Sequence, residues 1–169
     1  MDLTGFTEMK VHRLLLDPDT NTPIVILRDE RTGWLLPIWI GLFEAHAIAM
    51  KMEKITPQRP MTHDLLNNLL NATQCMMERV EVTDLVDNTY LAKIFFYLND
   101  QEHSIDSRPS DAIALALRGE VGIYVANHVL DSSKIDPAQM EEGQPEKSEG
   151  EWEDILRGTQ GESSKTKLN

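Results

Sequence analysis

Short apolar runs separated by turn residues open the chain. Strand-like segments occupy residues 8–16, 24–27 and 34–40, and the stretches between them are rich in Asp, Asn, Thr and Gly. Apolar runs of this length, bounded by such residues, are typical of strands joined by tight turns. The pattern predicts a three-strand meander. Because Pro37 has no N–H to donate, the third strand is predicted to lie at a sheet edge or to carry a bulge.

Helical and strand patterns alternate along the rest of the chain. Apolar residues at helical spacing occupy residues 42–54, 62–72 and 109–118. Strand signals occupy residues 77–86, 90–98, 103–106 and 121–125, with turn pairs at Asp87-Asn88 and Asn99-Asp100. Strands linked by hairpins, with helices inserted between them, predict a single α+β domain. Its mainly antiparallel sheet would be built from meanders and hairpins.

Local signals also predict how the helices begin, end and pack. Thr62 is predicted to cap the second helix, Gly119 to follow the end of the third, and Asn127 to cap a final helical turn. Four leucines between residues 65 and 70 form one stripe of the second helix, with asparagines on the opposite side. This spacing predicts an amphipathic helix.

The composition changes abruptly after Ser133. Residues 135–169 carry nine acidic and four basic side chains and few residues that form a core. Such a segment cannot bury enough apolar surface to offset the entropy lost on ordering. We therefore predict a folded domain over residues 1–134 and an acidic, disordered tail over 135–169. Trp152 and the apolar residues that follow it at helical spacing could dock on a protein partner or on the protein's own surface, or they are part of a solvated linker.

The chain as a whole is acidic. Its formal net charge of −12 over 169 residues argues against a protein that coats nucleic acid, but not against an enzyme that touches a few phosphates. No apolar run approaches the roughly 20 residues that span a bilayer, the first residues lack a secretory signal, and Cys75 is the single cysteine. These features predict a cytoplasmic protein with no membrane segment.

Two segments place an Arg-Pro pair at a helix entrance and a carboxylate in the first turn. They are Arg59-Pro60-Met61-Thr62-His63-Asp64 and Arg108-Pro109-Ser110-Asp111. Helix capping explains every residue type except His63. Alternatively, free N–H groups and a guanidinium at a helix start form a phosphate site, beside which a carboxylate can hold a metal or orient water. The sequence leaves both interpretations open.

Two polar residues interrupt the otherwise apolar first helix. Glu44 and His46 lie on a helix built to be buried, and buried polar groups need partners. They could bond to neighbouring strands or across a dimer interface. They could equally supply a general base and a metal ligand, because His and Glu can titrate in the useful range.

Three segments together resemble the bifunctional nuclease family, whose name reflects reported activity on RNA and DNA. They are LPIWIGLFEAHAIA at residues 36–49, RPMTHDLLNNLL at 59–70 and RPSDAIALALR at 108–118, in the family's order. The resemblance covers about residues 9–133 and implies an α+β fold and a homodimer. The family typically carries a second Glu where His46 stands.

The leading expectation is a nuclease that hydrolyses phosphodiester bonds of RNA, DNA or both, with nucleic acid as a transient substrate. From side-chain chemistry, the catalytic candidates are His63, Asp64, Asp111 and Glu44, and the phosphate-binding candidates are Arg59 and Arg108. A divalent cation, Mg²⁺ or Mn²⁺, is the expected cofactor, with Asp64, Asp111 and Glu44 as its ligands. The alternative is a dimeric binding or regulatory module without catalysis, whose acidic tail recruits a partner.

Overall fold

The computed structural model describes residues 3–138, and these residues form one seven-stranded sheet and four helices. The elements in chain order are β1 (Phe6–Leu16), β2 (Pro23–Arg28), β3 (Leu35–Trp39), α1 (Leu42–Met52), α2 (Thr62–Ala72), β4 (Met76–Val86), β5 (Thr89–Leu98), β6 (Gln101–Ser107), α3 (Pro109–Gly119), β7 (Gly122–Ala126) and α4 (Asn127–Ser133). The predicted α+β class is confirmed.

The sheet joins two antiparallel meanders. Its strand order is β3-β2-β1-β7-β4-β5-β6, so β1–β2–β3 forms one meander and β4–β5–β6 the other. Strand β7 lies between them, antiparallel to β1 and parallel to β4. The parallel pair requires a crossover, and α3 is the helix of that crossover. This topology places the start of α3 directly after the edge strand β6.

Turn residues and proline act as the sequence predicts. Asp87 and Asn88 have φ values of 48° and 59°, and Asn99 and Asp100 have φ values of 51° and 60°. Two successive positive φ values form the two-residue hairpin turn that Asn and Asp tolerate best. Pro37 lies on the edge strand β3, as predicted, where its missing N–H removes little from the sheet.

The main core lies on one face of the sheet, beneath α1, α3 and α4. Alternate residues of β2, β3, β4 and β7 point into it, and the buried faces of the three helices close it. Its fully buried large side chains include Leu27, Leu36, Ile38, Ile48, Val80, Val82, Ile113 and Leu115. A smaller cluster of Ile24, Ile26 and Leu35 lies on the opposite face.

Three predicted helix boundaries are wrong by one residue. Met61 rather than Thr62 precedes α2, because the Asp64 carboxylate accepts the Met61 N–H at 2.9 Å and closes the first turn there. Ala126 precedes α4, so Asn127 is its first helical residue. Gly119 is the last residue of α3, and Glu120 takes the left-handed conformation, with φ of 56°.

Three of the four leucines in the α2 stripe are exposed, and the fourth, Leu70, is half-buried. No residue of α2 is buried, and Leu65, Leu66 and Leu69 are 63%, 40% and 55% exposed. Asn67 on the other side is half-buried and approaches Gly119 of α3. We call the three exposed leucines the α2 outer face. Residues 34–40 are mostly buried, with Trp39 as the exposed member at 54%.

The described chain continues beyond the predicted domain boundary at residue 134. The Ile135 N–H and C=O groups pair with Leu35, at 2.9 and 3.1 Å, and so extend the sheet contacts of β3. The rest of the predicted acidic tail, from residue 139 onward, lies outside the described residues. None of the helices in residues 3–138 has the length and apolar composition that crossing a membrane requires.

Candidate functional site

The starts of three helices meet at one place on the protein. Glu44 lies in the first turn of α1, His63 and Asp64 in the first turn of α2, and Asp111 in the first turn of α3, directly after Arg108. Side chains on first turns point toward the open end of a helix, where backbone N–H groups lack partners. The packing of α1 and α2 on α3 therefore brings these polar groups together.

Arg108 connects α1 to α3. Its Nε and Nη2 atoms donate to the two oxygens of Asp111 at 2.7 and 3.1 Å, and Nη2 also pairs with Glu44 Oε1 at 2.7 Å. The Arg108 side chain is still 64% exposed, whereas that of Glu44 is 15% exposed. Among residues 3–138, the Nη1 atom of Arg108 has no hydrogen-bond partner. This edge of the guanidinium can accept an anion from solvent.

His63 connects α2 to the same carboxylate. The distance from His63 Nε2 to Asp111 Oδ1 is 3.0 Å, and the His63 side chain is 13% exposed. The other ring nitrogen, Nδ1, has no hydrogen-bond partner within residues 3–138. When the His63 Nε2–H group donates a hydrogen bond to Asp111, Nδ1 carries the lone pair of the ring and can take a proton from water. Asp111 thus orients the imidazole.

The ionisation of Asp111 is held by its partners. Burial alone would raise its pKa, but the hydrogen bonds from Arg108 and His63 outweigh burial and hold the pKa below its usual value. The same contacts act on Arg108, whose pKa is raised by the hydrogen bonds to Asp111 and Glu44. The contacts therefore run from Glu44 through Arg108 and Asp111 to His63.

Arg108 lies on the wall between two clefts. The histidine cleft has a volume of about 610 Å³; His63, Asp111 and Arg108 lie among its lining residues, with Phe96 and Ile105 on its apolar side. The tryptophan cleft has a volume of about 400 Å³ and is lined by Trp39, Tyr90 and the start of α3. Arg108 is thus a lining residue of both clefts, and each cleft also has apolar residues in its wall.

Comparison with known protein families decides the kinship of the chain. The model of the bifunctional nuclease domain matches residues 25–138, which include the three helix starts. The chain belongs to the bifunctional nuclease family. An uncharacterized protein of Mycobacterium tuberculosis is 38% identical over 123 residues, which cover 73% of each chain.

Plant members of the bifunctional nuclease family are more distant. Bifunctional nuclease 1 of Arabidopsis thaliana is 30% identical over 132 residues, which cover 71% of this chain and 41% of the relative. Bifunctional nuclease 2 of the same plant is 28% identical over 126 residues, which cover 68% of this chain and 38% of the relative. The chain thus matches less than half the length of these plant relatives.

Asp64, a predicted catalytic and metal-binding residue, points away from the His63 pair. Its Oδ1 atom accepts from Arg118 Nε at 2.5 Å, and its Oδ2 atom accepts the Met61 N–H. Burial would raise the Asp64 pKa, but these hydrogen bonds outweigh burial and lower it. Arg118 also donates to the carbonyl oxygens of Ala114 and Ala47, at 2.9 and 3.2 Å. The contacts of Asp64 are those of a group that locks α2 onto α3 and α1.

Sequence reasoning missed Arg118 as a partner. It lies seven residues after Asp111, so both side chains share one face of α3. This seven-residue spacing was the sequence signal that could have identified Arg118. Arg59 is exposed and lies outside both clefts, so the structure does not bring it to the other candidates. His46 is half-buried, and its burial lowers its pKa.

The three predicted metal ligands do not form a cluster in the bifunctional nuclease domain described here. The contacts of Glu44 and Asp111 go to Arg108 and His63, and those of Asp64 to Arg118 and Met61. Within residues 3–138, no group of three or more His, Cys, Asp or Glu side chains is placed to hold a metal ion. As arranged, the residues do not fit a resident divalent cation.

Proposed function

We propose that this chain hydrolyses phosphodiester bonds of RNA, DNA or both, with His63 as the group that transfers the proton. The observation that carries the proposal is the contact between His63 and Asp111, with Arg108 on the same carboxylate, at the edge of the histidine cleft. Kinship with proteins named bifunctional nucleases supports the reaction class.

The three side chains supply what hydrolysis of a phosphodiester requires. His63 Nδ1 takes a proton from water as the water oxygen attacks phosphorus. Asp111 stabilises the imidazolium that forms, and the free Nη1 edge of Arg108 contacts a non-bridging phosphate oxygen. The bond from phosphorus to the leaving oxygen breaks, and that oxygen takes up the proton that His63 carried. Glu44 holds the Arg108 guanidinium in place.

Assistance by Mg²⁺ or Mn²⁺ is a separate proposal. Mg²⁺ usually keeps several waters and binds one or two carboxylates together with the phosphates of its substrate. A cation of this kind would enter with nucleic acid rather than occupy a preformed site. No step above depends on it, and comparison of hydrolysis with and without a chelator decides whether it takes part.

The proposal is tested by nuclease assays on single-stranded RNA and DNA, each with and without EDTA. His63→Ala is expected to lower the rate by about 10²- to 10⁴-fold, the usual contribution of a positioned acid or base. The matched control is His128→Ala, because His128 is 67% exposed and forms a similar pair with Asp84 at 3.4 Å. Equal activity of the two variants would remove His63 from the reaction.

We also propose that the chain forms a homodimer, and the α2 outer face supports this proposal. Three exposed leucines on one helix that buries none of its residues form an unusual surface for a monomer. The same surface favours the alternative function, a binding module without catalysis. Sedimentation of the wild type and of Leu65→Lys with Leu69→Lys tests the homodimer, since a dimer through this face becomes a monomer. The cytoplasmic location and a protein partner for the tail stay predictions.

A further inference from the structure

Two aromatic clefts meet at the one guanidinium that the proposed function assigns to phosphate. The histidine cleft offers the 53% exposed Ile105 and Phe96, whose ring also stacks on that of His103 with the centroids 5.7 Å apart. The tryptophan cleft offers Trp39 and Tyr90. The volumes of the two clefts, about 610 and 400 Å³, fall in the range of roughly 300–1,000 Å³ that is usual for small-molecule sites. Each cleft is large enough for a nucleoside.

Trp39 is an exposed aromatic residue at the end of an edge strand. Its indole is 54% exposed on the edge strand β3, while its Nε1–H donates to Asp17 Oδ2 at 3.1 Å. The hydrogen bond fixes the ring and leaves apolar surface open to the tryptophan cleft. The charged group in contact with the ring is the Asp17 carboxylate, and Arg108 lines the same cleft. An exposed aromatic ring in a cleft that also holds a cation is an arrangement with which proteins stack unpaired bases.

The charges of the two clefts differ. In the part of the chain that the structure describes, Arg108 is the single charged residue that lines the tryptophan cleft. The histidine cleft is also lined by Asp106 and Asp111, beside His63. A phosphate that reaches Arg108 from the tryptophan cleft therefore passes no carboxylate among the lining residues of that cleft, and the carboxylates it meets are the Glu44 and Asp111 partners of Arg108 itself.

We propose that the two clefts bind the two nucleosides on either side of the scissile phosphate, which makes single-stranded nucleic acid the substrate. This inference rests on the proposed function for the position of the phosphate at Arg108. One base contacts Phe96 and Ile105, and the other stacks on Trp39. Paired and stacked bases of a duplex cannot enter two separate clefts unless they first unstack, which costs a few kcal/mol for each base. A duplex of the same sequence is therefore a poor substrate.

The test measures both binding and hydrolysis, with a fluorescently labelled single-stranded oligonucleotide and its blunt duplex. The variants are Trp39→Ala and Ile105→Ser, with Trp39→Phe to restore stacking. Phe43→Ala is the matched control, because Phe43 is 83% exposed and lines neither cleft. We expect Trp39→Ala and Ile105→Ser each to weaken single-strand binding and to raise KM by about tenfold, with kcat retained. Trp39→Phe recovers most of the affinity, and Phe43→Ala matches the wild type.

The two readouts separate this inference from the proposed function. Unchanged binding and KM in Trp39→Ala and Ile105→Ser, or equal hydrolysis of duplex and single strand, overturns the two-cleft inference while hydrolysis by the wild type upholds the proposed function. Wild-type protein that hydrolyses neither substrate, yet binds the single strand through Trp39 and Ile105, overturns the proposed function and supports the clefts. Absence of single-strand binding overturns the inference outright.

Discussion

Asp111→Asn separates a catalytic role of the His63 pair from a structural one. The change keeps the size of the side chain and removes its charge and one acceptor oxygen. Asp111 now accepts from His63 Nε2 and from two atoms of Arg108. If the new amide nitrogen faces His63, it donates to Nε2, and the ring proton moves to Nδ1. The imidazole then presents a proton where a lone pair is needed, and the base is lost.

The expected cost to stability is small. The Asp111 side chain is 27% exposed and that of Arg108 is 64% exposed, so water screens this pair. Exposed ion pairs contribute about 0.2–1 kcal/mol, and a carboxylate at a helix start adds about 0.3–1 kcal/mol. Asn retains part of the helix-start interaction. A total loss near 1 kcal/mol corresponds to a Tm decrease of about 2–4 °C for a chain of this size.

The expected loss of activity is much larger. Loss of a positioned acid or base lowers a rate by about 10²- to 10⁴-fold, which is equivalent to roughly 3–5 kcal/mol of barrier. Turnover and Tm are measured on the same preparation, with Asp84→Asn as the control, since Asp84 forms the similar but exposed pair with His128. Full activity of Asp111→Asn would refute a catalytic role of the contact between His63 and Asp111. A Tm decrease well beyond 4 °C would show that Asp111 acts mainly on stability.

Three further predictions concern the stability of the domain. Arg118→Met should lower the free energy of unfolding by about 2–4 kcal/mol in urea titrations, because it leaves the Asp64 carboxylate without its cation. Truncation after Ala138 should leave Tm within about 1 °C, since the removed segment lacks a core pattern. Because the pKa values of Asp64 and Asp111 are lowered in the folded protein, their ionised carboxylates stabilise the fold at pH values above the usual aspartate pKa of about 4. Urea titrations from pH 7 to pH 3 should show that contribution being lost below about pH 4, and less so in Asp111→Asn.

Local chemistry explains which parts of the fold the sequence could predict. Pro37 on an edge strand and the turn at Asp87 and Asn88 depend on the φ angles and hydrogen bonds of a few residues, which the sequence states directly. The helix starts were predicted within one residue because caps and first turns are also local. Their convergence was not visible, because it depends on how α1 and α2 pack on α3.

The failures concern groups far apart in the chain. Periodicity shows that α2 has two different faces, yet it does not show which one meets α3, and here half-buried Asn67 does so while Leu65 is exposed. The partner of Asp64 lies 54 residues away on α3. Arg59 and Arg108 stand in similar motifs, but only Arg108 lies where helices meet a cleft. A motif predicts the chemistry of a residue, while packing decides whether that chemistry has a site.

The charge around Arg108 limits how an anionic substrate can approach. The Nε and Nη2 atoms of the guanidinium already donate hydrogen bonds to the carboxylates of Glu44 and Asp111, so they are not free to bind a phosphate. The free edge is therefore the part of the Arg108 guanidinium left for a phosphate, in a chain whose net charge is −12. Because the chain and a nucleic acid are both negatively charged, there is no net long-range attraction between them. Affinity has to come from short-range contacts with bases. If the chain hydrolyses nucleic acid as proposed, it would select substrates by the unpaired bases that its clefts accept, with the phosphate fixing only their position.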